Sequence, residues 1–479
     1  MRGVRGLWLA IVTASLLAVT ACTHNVYQFP LYNFAGRPIP PSQLAQRVMV
    51  GVTFNGANGG LIILDGLRDI RNNIENTIPG YSIAGYSGGY PSQILSFPEQ
   101  MKGYVYSNFS PYPVNVINYS SESSTGSVGS FAQGTSVAIA PDFIRIFASV
   151  AQAGQLIVND QSLSTAVALN LPNVTKVVVN RGDTVALAMV RNSNTLYRII
   201  KLNAGTTVNP PGAVDCQPSI LPLYCVIPVP GNFDRPIDAV FSLDGSSVYV
   251  LNCGQECGGG SNGGSGVSVL PQGALQINLL PTAVPYPAVV TSTTPIPGGV
   301  TTAILDGTTL YAAGQQLQPD GLFSGRLSLM NTSTLAVGTP IPISDGTHTK
   351  LLFADDNTLW IGSQYCSTGE RAKLGLNYNC LTRYDITAGT AAIVPALNAA
   401  TSTTPPSVPY PNADNNLQYY GSLTGLCWVQ NYHKVYTAYG GQVHAFYTSN
   451  GQEINNTNFT VQGTALDVAY IDALTNSAN

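Results

Sequence analysis

The stretch IDAVFSLDGSSVYVL, residues 237–251, decides the fold. A short apolar strand, a four-residue turn and a second strand rich in Val and Tyr follow one another. The Asp244-Gly245 step supplies the positive φ that a tight hairpin turn requires. The same design returns at residues 303–311 (AILDGTTLY) and 351–360 (LLFADDNTLW). The sequence therefore predicts a chain of short antiparallel hairpins.

Such hairpins recur along the whole chain. Pairing the second strand of each repeat with the third gives eight hairpins: 48–54 with 61–64, 103–107 with 114–118, 144–150 with 155–159, 184–190 with 196–201, 247–251 with 267–270, 309–313 with 326–330, 358–362 with 381–385, and 434–438 with 443–447. Repeats of about 40 to 60 residues, each worth four strands, predict an all-β fold, the β-propeller. Eight blades are expected, with seven as the alternative if the weak second hairpin is not a blade.

The two ends of the chain predict how the ring closes. The first hairpin has no convincing inner strand before it, whereas residues 464–471 (TALDVAYI) form a spare strand after the last repeat. We expect this C-terminal strand to pair with residues 48–54. That pairing removes exposed sheet edges.

The composition excludes some partners. Only 9% of the residues are Asp, Glu, Lys or Arg, and the net charge is −4. Ordinary soluble domains carry about 25% charged residues. Nucleic-acid binding requires clustered cations, so no nucleic-acid partner is predicted.

Cysteine spacing indicates export. Cys22 aside, six of the eight cysteines form close pairs: Cys216 with Cys225, Cys253 with Cys257, and Cys366 with Cys380. Each pair brackets a loop-like stretch, as local disulfides in an oxidising compartment do. Cys427, inside an apolar run, is predicted to be a buried thiol. A metal site at Cys253 and Cys257 is the alternative, but structural zinc needs four ligands and histidine is scarce, so no metal or other cofactor is predicted.

The N-terminus resembles a bacterial lipoprotein signal. Arg2 and Arg5 precede an apolar run, 7–19, that is too short to span a bilayer, and Val19-Thr20-Ala21-Cys22 is similar to a lipobox. The resemblance implies a signal peptide over 1–21 and lipidation of Cys22. Residues 22–47, with four prolines and little periodicity, are predicted to be a tether, and the repeats predict one propeller domain over 48–475. An ordinary signal peptide with an unrelated cysteine is the alternative. Thr23, where Asp would imply inner-membrane retention, favours the outer membrane.

The repeat itself resembles a known family. Residues 241–252 (FSLDGSSVYVLN) are similar to the YVTN-type β-propeller repeat, and residues 300–313 and 348–362 are similar to a lesser degree. With the lipobox, the chain resembles exported propeller lipoproteins. The resemblance implies a binding or surface role and brings no catalytic residues with it.

Charged residues at equivalent repeat positions predict a ligand site at the mouth of the central channel. Lys176 and Lys350 each follow a Thr at the start of an inner strand, and Asp238 and Asp467 occupy neighbouring positions. Arg235 and His348 lie on the loops that lead into these strands. The alternative is that they are ordinary solvated residues of the channel lining.

Two functions remain open from the sequence. The first is a non-catalytic, lipid-anchored, monomeric propeller that binds a protein or polymer, such as a carbohydrate, in the cell envelope. The second is a hydrolase or lyase that acts on an extracellular sugar or lactone at the channel mouth. No nucleophile elbow, phosphate-binding glycine loop or HExxH motif is found in the sequence.

Overall fold

The computed structural model describes residue 34 and residues 36–70, 81–141, 145–260, 262–283, 285–319, 321–366, 379–395, 420–454 and 460–475. Regular structure in these residues is β-strand, apart from four single-turn 3-10 helices: Pro98–Gln100, Ala151–Ala153, Gly254–Cys257 and Gln272–Leu275. The predicted signal peptide and Cys22 lie outside the described residues.

The strands of the first half of the chain, in order, are β1 (Arg47–Thr53), β2 (Gly59–Asp65), β3 (Pro91–Phe97), β4 (Lys102–Ser107), β5 (Pro113–Asn118), β6 (Ser123–Ser130), β7 (Ser136–Ile139), β8 (Arg145–Val150), β9 (Gln155–Asp160), β10 (Val167–Asn170), β11 (Val174–Val179), β12 (Ala186–Val190), β13 (Leu196–Lys201), β14 (Asp215–Gln217) and β15 (Tyr224–Val229).

The strands of the second half are β16 (Pro236–Phe241), β17 (Ser247–Asn252), β18 (Gly266–Pro271), β19 (Ser292–Pro295), β20 (Gly299–Leu305), β21 (Thr309–Leu317), β22 (Phe323–Asn331), β23 (Ile341–Pro342), β24 (Thr347–Ala354), β25 (Thr358–Gln364), β26 (Leu381–Asp385), β27 (Thr390–Ile393), β28 (Leu423–Val429), β29 (Lys434–Tyr439), β30 (Gln442–Tyr447) and β31 (Thr464–Tyr470).

These strands form eight antiparallel sheets arranged in a ring. Blade 1 combines β31, β1 and β2, and blades 2 to 8 begin at β3, β7, β11, β16, β20, β24 and β28, whose strands lie innermost. Each of the eight predicted hairpins is present. The weak second hairpin, β4 with β5, belongs to a four-stranded blade, so the count is eight. The chain is an eight-bladed β-propeller.

The predicted ring closure is confirmed. β31 runs antiparallel to β1, with Val48 opposite Tyr470 and Val50 opposite Val468. The last strand of the chain is therefore the inner strand of the first blade. This pairing covers the edge that β1 would otherwise expose.

The propeller unit begins at Pro40. Leu44 and Ala45, which the sequence assigns to the tether, are buried. The Ser42 backbone N–H donates to Glu122 of blade 2 at 2.8 Å. The chain thus meets the folded body several residues before the first strand.

Apolar side chains fill the space between adjacent blades. Between blades 4 and 5, for example, Leu187 and Leu196 pack with Val248, Val250 and Leu270, all fully buried. Neighbouring sheets thereby interlock face to face, as in other packed β-sheets. The turn of the diagnostic hairpin is as predicted, with Gly245 at φ +72°.

A β-bulge marks the inner strand of seven blades. The residue after the bulge has the same register in each: Gln93, Lys176, Asp238, Thr302, Lys350, Gly425 and Asp467. A bulge inserts one residue and re-aims the side chains that follow it. These seven positions therefore form one layer of the inner strands, and six of them carry polar side chains.

Candidate functional site

Four of the six predicted channel residues form two ion pairs. Lys176 Nζ lies 2.6 Å from Asp238 Oδ2, which joins blades 4 and 5. Lys350 Nζ lies 3.2 Å from Asp467 Oδ1, which joins blade 7 to blade 1. The lysine side chains are 41% and 35% exposed, whereas both carboxylates are buried. We call these four residues the channel ring.

A glycine lets Lys350 reach across blade 8. Gly425 occupies the equivalent position of that blade, and a Cβ there would lie 2.7 Å from Asp467 Oδ1 and 2.6 Å from the Val468 nitrogen. Any larger residue would fill the path between the two charges. The role of Gly425 could not be predicted from the sequence, because a glycine in a strand gives no chemical signal of its own.

Backbone groups complete the layer. Asp467 Oδ2 accepts the Ile94 N–H at 2.9 Å, and Gln93 exchanges two hydrogen bonds with the Val137 backbone, at 2.9 and 3.1 Å. Polar side chains therefore link the inner strands of neighbouring blades around much of the ring. A repeat alignment that included amides would have marked Gln93.

The charges of the channel ring cancel. Each buried carboxylate has an ammonium partner within the protein. The four residues therefore line the channel with paired charges.

His348 and Arg235 do not join the ring. The bulge at Thr349 separates His348 from Lys350 and turns the imidazole into the blade, where Nε2 lies 2.8 Å from the Ser344 carbonyl oxygen. Burial lowers the pKa of His348 to about 4. Arg235 donates instead to the Gly258 carbonyl at 2.9 Å, beside the Cys253–Cys257 turn.

The three predicted disulfides are present: Cys216–Cys225, Cys253–Cys257 and Cys366–Cys380. Cys427 is a buried free thiol, and burial raises its pKa above the ordinary value. Disulfides of this kind persist in oxidising compartments, so they indicate an extracytoplasmic location. No helix in the described segments is long and apolar enough to cross a membrane.

The glycine-rich stretch 254–266 wraps a buried carboxylate. Asp234 accepts backbone N–H groups from Gly260, Asn262 and Gly264, at 2.9 to 3.3 Å. A Cβ at Gly259 would collide with Asp234 Oδ1. The close approach of this backbone to Asp234 therefore requires glycines. The loop folds around the Asp234 carboxylate.

Two insertions carry exposed apolar side chains. We call residues 203–223, between β13 and β15, the blade 4 insertion and residues 276–291, before β19, the blade 5 insertion. The Tyr286 hydroxyl of the second donates to the Pro211 carbonyl of the first. Six exposed aliphatic side chains lie on them: Val208, Val214, Ile220, Leu221, Leu279 and Leu280.

Within the described ranges, no three His, Cys, Asp or Glu side chains gather closely enough to hold a metal ion. The channel ring supplies only two acidic groups, each paired with a lysine.

Comparison with known proteins shows the fold. No family model and no curated protein matches the sequence. Similar solved structures are dihydro-heme d1 dehydrogenase NirN in complex with DHE, with a TM-score of 0.52 and 13% identity over 91% of this chain and 79% of that one, and the Dos1 propeller, with 0.50 and 8% over 80% and 87%. Apo AztD from Citrobacter koseri has a TM-score of 0.47 and 10% identity over 89% and 97%. At these identities the likeness concerns the propeller architecture alone.

Proposed function

We propose that this protein is a lipid-anchored, extracytoplasmic propeller that binds a protein or polymer partner in the cell envelope. Cys22 carries the lipid anchor, and a short tether joins it to the propeller. The outer membrane is the favoured location. The YVTN-type repeat at 241–252 supports the relation to exported propeller lipoproteins. The three disulfides support the compartment.

The observation that carries the binding role is the apolar surface of the two insertions. Ile220 is 83% exposed and Val208 75%, on segments that contain one charged residue, Asp215, between them. Soluble proteins rarely concentrate exposed aliphatic side chains without a partner to cover them. Loops on a rigid ring are also where scaffold proteins usually place their recognition residues.

The hydrolase or lyase alternative has the weaker support. It requires carboxyl groups available for acid and base chemistry at the channel mouth. The two channel carboxylates are instead held by Lys176 and Lys350.

The partner is tested by chemical cross-linking in producing cells, followed by affinity capture of three variants. Ile220→Asp places a charge in the insertion surface, and Leu243→Asp places the same charge on an exposed turn of blade 5. We expect a cross-linked partner with the wild type and with Leu243→Asp, and its loss with Ile220→Asp. Identical captured sets from all three would contradict the proposed surface.

The anchor is tested separately. Mass spectrometry of the mature N-terminus should show an acylated glyceryl group on Cys22, and Cys22→Ala should move the protein into the soluble fraction. An unmodified N-terminus at another residue would exclude lipid anchoring and leave the binding role to stand on its own test.

A further inference from the structure

A cleft lies between blade 4 and the blade 5 insertion. Its volume is about 230 Å³, and its walls include Pro228 and Pro230 from the end of β15, with Leu279, Leu280 and Tyr286 from the insertion. Arg198 of β13 contributes the cationic side chain of the lining. Prolines and leucines make the rest of the wall rigid and apolar. Pockets that enclose drug-sized ligands measure roughly 300–1,000 Å³, so this one suits a smaller molecule.

Arg198 is buried without a counter-ion in the described part of the chain. The residue is 6% exposed. Its Nη1 donates to the Ala274 carbonyl at 3.0 Å, and its Nη2 donates to the carbonyls of Gln276, at 2.9 Å, and Leu279. Nε is buried and has no hydrogen-bond partner. Carbonyl oxygens solvate the guanidinium, but they do not neutralise its charge.

The other buried arginines of the propeller are paired with carboxylates. Arg47 pairs with Asp472 and Glu122 at 2.6 and 2.9 Å. Arg145 lies 3.4 Å from a carboxylate oxygen of Asp183. A buried charge is costly unless it is paired, which makes Arg198 the exception.

The pKa values of Arg198 and Arg47 shift in opposite directions. Burial lowers the pKa of Arg198 to about 10. For Arg47, burial also acts to lower the pKa, but hydrogen bonds and charge attraction from Asp472 and Glu122 outweigh it and the pKa lies above its ordinary value. An anion beside Arg198 would remove this difference.

We propose that the cleft binds a small molecule with one carboxylate on an apolar body. The carboxylate would lie beside Arg198 and compensate its charge, and the apolar body would lie against the proline and leucine walls. An opposite charge beside a buried guanidinium offsets part of the cost of burying it. Leu279 and Leu280 belong to both the cleft and the insertion surface, but the carboxylate site rests on Arg198 and needs no macromolecular partner.

The test is isothermal titration calorimetry on the purified full-length chain with octanoate and 3-phenylpropanoate. Octylammonium and 1-octanol serve as controls that keep the apolar body and change the charge. We expect saturable binding of at least one carboxylate, and at least tenfold weaker binding of both controls. Absence of saturable binding by both carboxylates, or equal binding of octylammonium, would overturn the proposal.

Two variants locate the ligand. Arg198→Lys keeps the charge but loses the planar set of donors, and it should weaken carboxylate binding at least tenfold. Leu280→Asp adds a negative charge to the cleft lining and should also weaken carboxylate binding at least tenfold. Leu243→Asp, on an exposed turn outside the cleft lining, is the matched control and should bind like the wild type. Unchanged affinity in Leu280→Asp would place the ligand elsewhere, even if Arg198→Lys proved unstable.

Discussion

The two ends of the propeller are joined by a buried ion pair, and Asp472→Ala removes its carboxylate. The Arg47 guanidinium donates to Asp472 through Nε at 2.9 Å and Nη2 at 2.6 Å, and the Arg47 backbone N–H donates to the same carboxylate at 2.7 Å. Nη1 retains Glu122 and the Tyr119 carbonyl, at 2.9 and 2.6 Å. The substitution thus leaves three buried donors without acceptors.

The size of the expected stability loss follows from the burial of Arg47. Arg47 is 1% exposed, so water cannot replace the lost acceptor. Breaking a buried pair by removing one partner costs about 3–5 kcal/mol. The surviving Glu122 contact places Asp472→Ala toward the lower end of that range. Whole domains are stable by about 5–15 kcal/mol, so the loss is a large fraction of the total.

Denaturant unfolding followed by circular dichroism measures the loss. Asp238→Ala is the control, because its partner Lys176 is 41% exposed and water can replace the lost carboxylate, so a smaller loss of stability is expected. Equal unfolding midpoints for Asp472→Ala and Asp238→Ala would refute the account of ring closure.

Three further outcomes are expected. Gly425→Ala should destabilise the protein by about 1–3 kcal/mol, because its Cβ would overlap the Asp467 region, whereas Gly273→Ala, with open space around it, should be nearly neutral in the same unfolding assay. Asp356 raises the pKa of His433, so this contact stabilises the folded state at acidic pH. The contribution is lost as the pH rises through the raised pKa of His433. The difference in melting temperature between wild type and His433→Asn should therefore shrink from pH 5.5 to pH 8.5. Cys427 should react with a thiol reagent only after unfolding, and labelling of the native protein would contradict its burial.

The hairpins were predictable because their signals are local. An Asp-Gly step and the short apolar strands beside it are visible within fifteen residues, as at 237–251. Ring closure was predictable for a different reason. One blade lacks an inner strand at the N-terminal end and one strand is left over at the C-terminal end, so the simplest arrangement pairs the two. Leu44 and Ala45 escaped prediction, since a short segment without periodicity shows no sign of the surface that buries it.

The site was only half predictable. Repeat register placed Lys176 and Lys350 at equivalent positions and Asp238 and Asp467 only near them, whereas in the structure all four follow the bulge at the same register. A one-residue bulge decides which neighbour faces the channel, and nothing in the sequence around His348 announces it. The Arg198 cleft depends on contact between blade 4 strands and the blade 5 insertion, which has no repeat character, so no sequence pattern could reveal it.

The pairing of the last strand with the first has a consequence for the order of events in folding. Arg47 and Asp472 are 425 residues apart, and closing a flexible loop of that length costs about 5 kcal/mol beyond a constant. Once the intervening blades have formed, they hold the two ends side by side and most of that entropy has already been lost. Blade 1 is therefore the first to leave the ribosome and the last to be completed. Until the C-terminal strand is synthesised, the edge of β1 that β31 later covers stays unpaired, and a chaperone that shields strand edges has a defined place and time to act there.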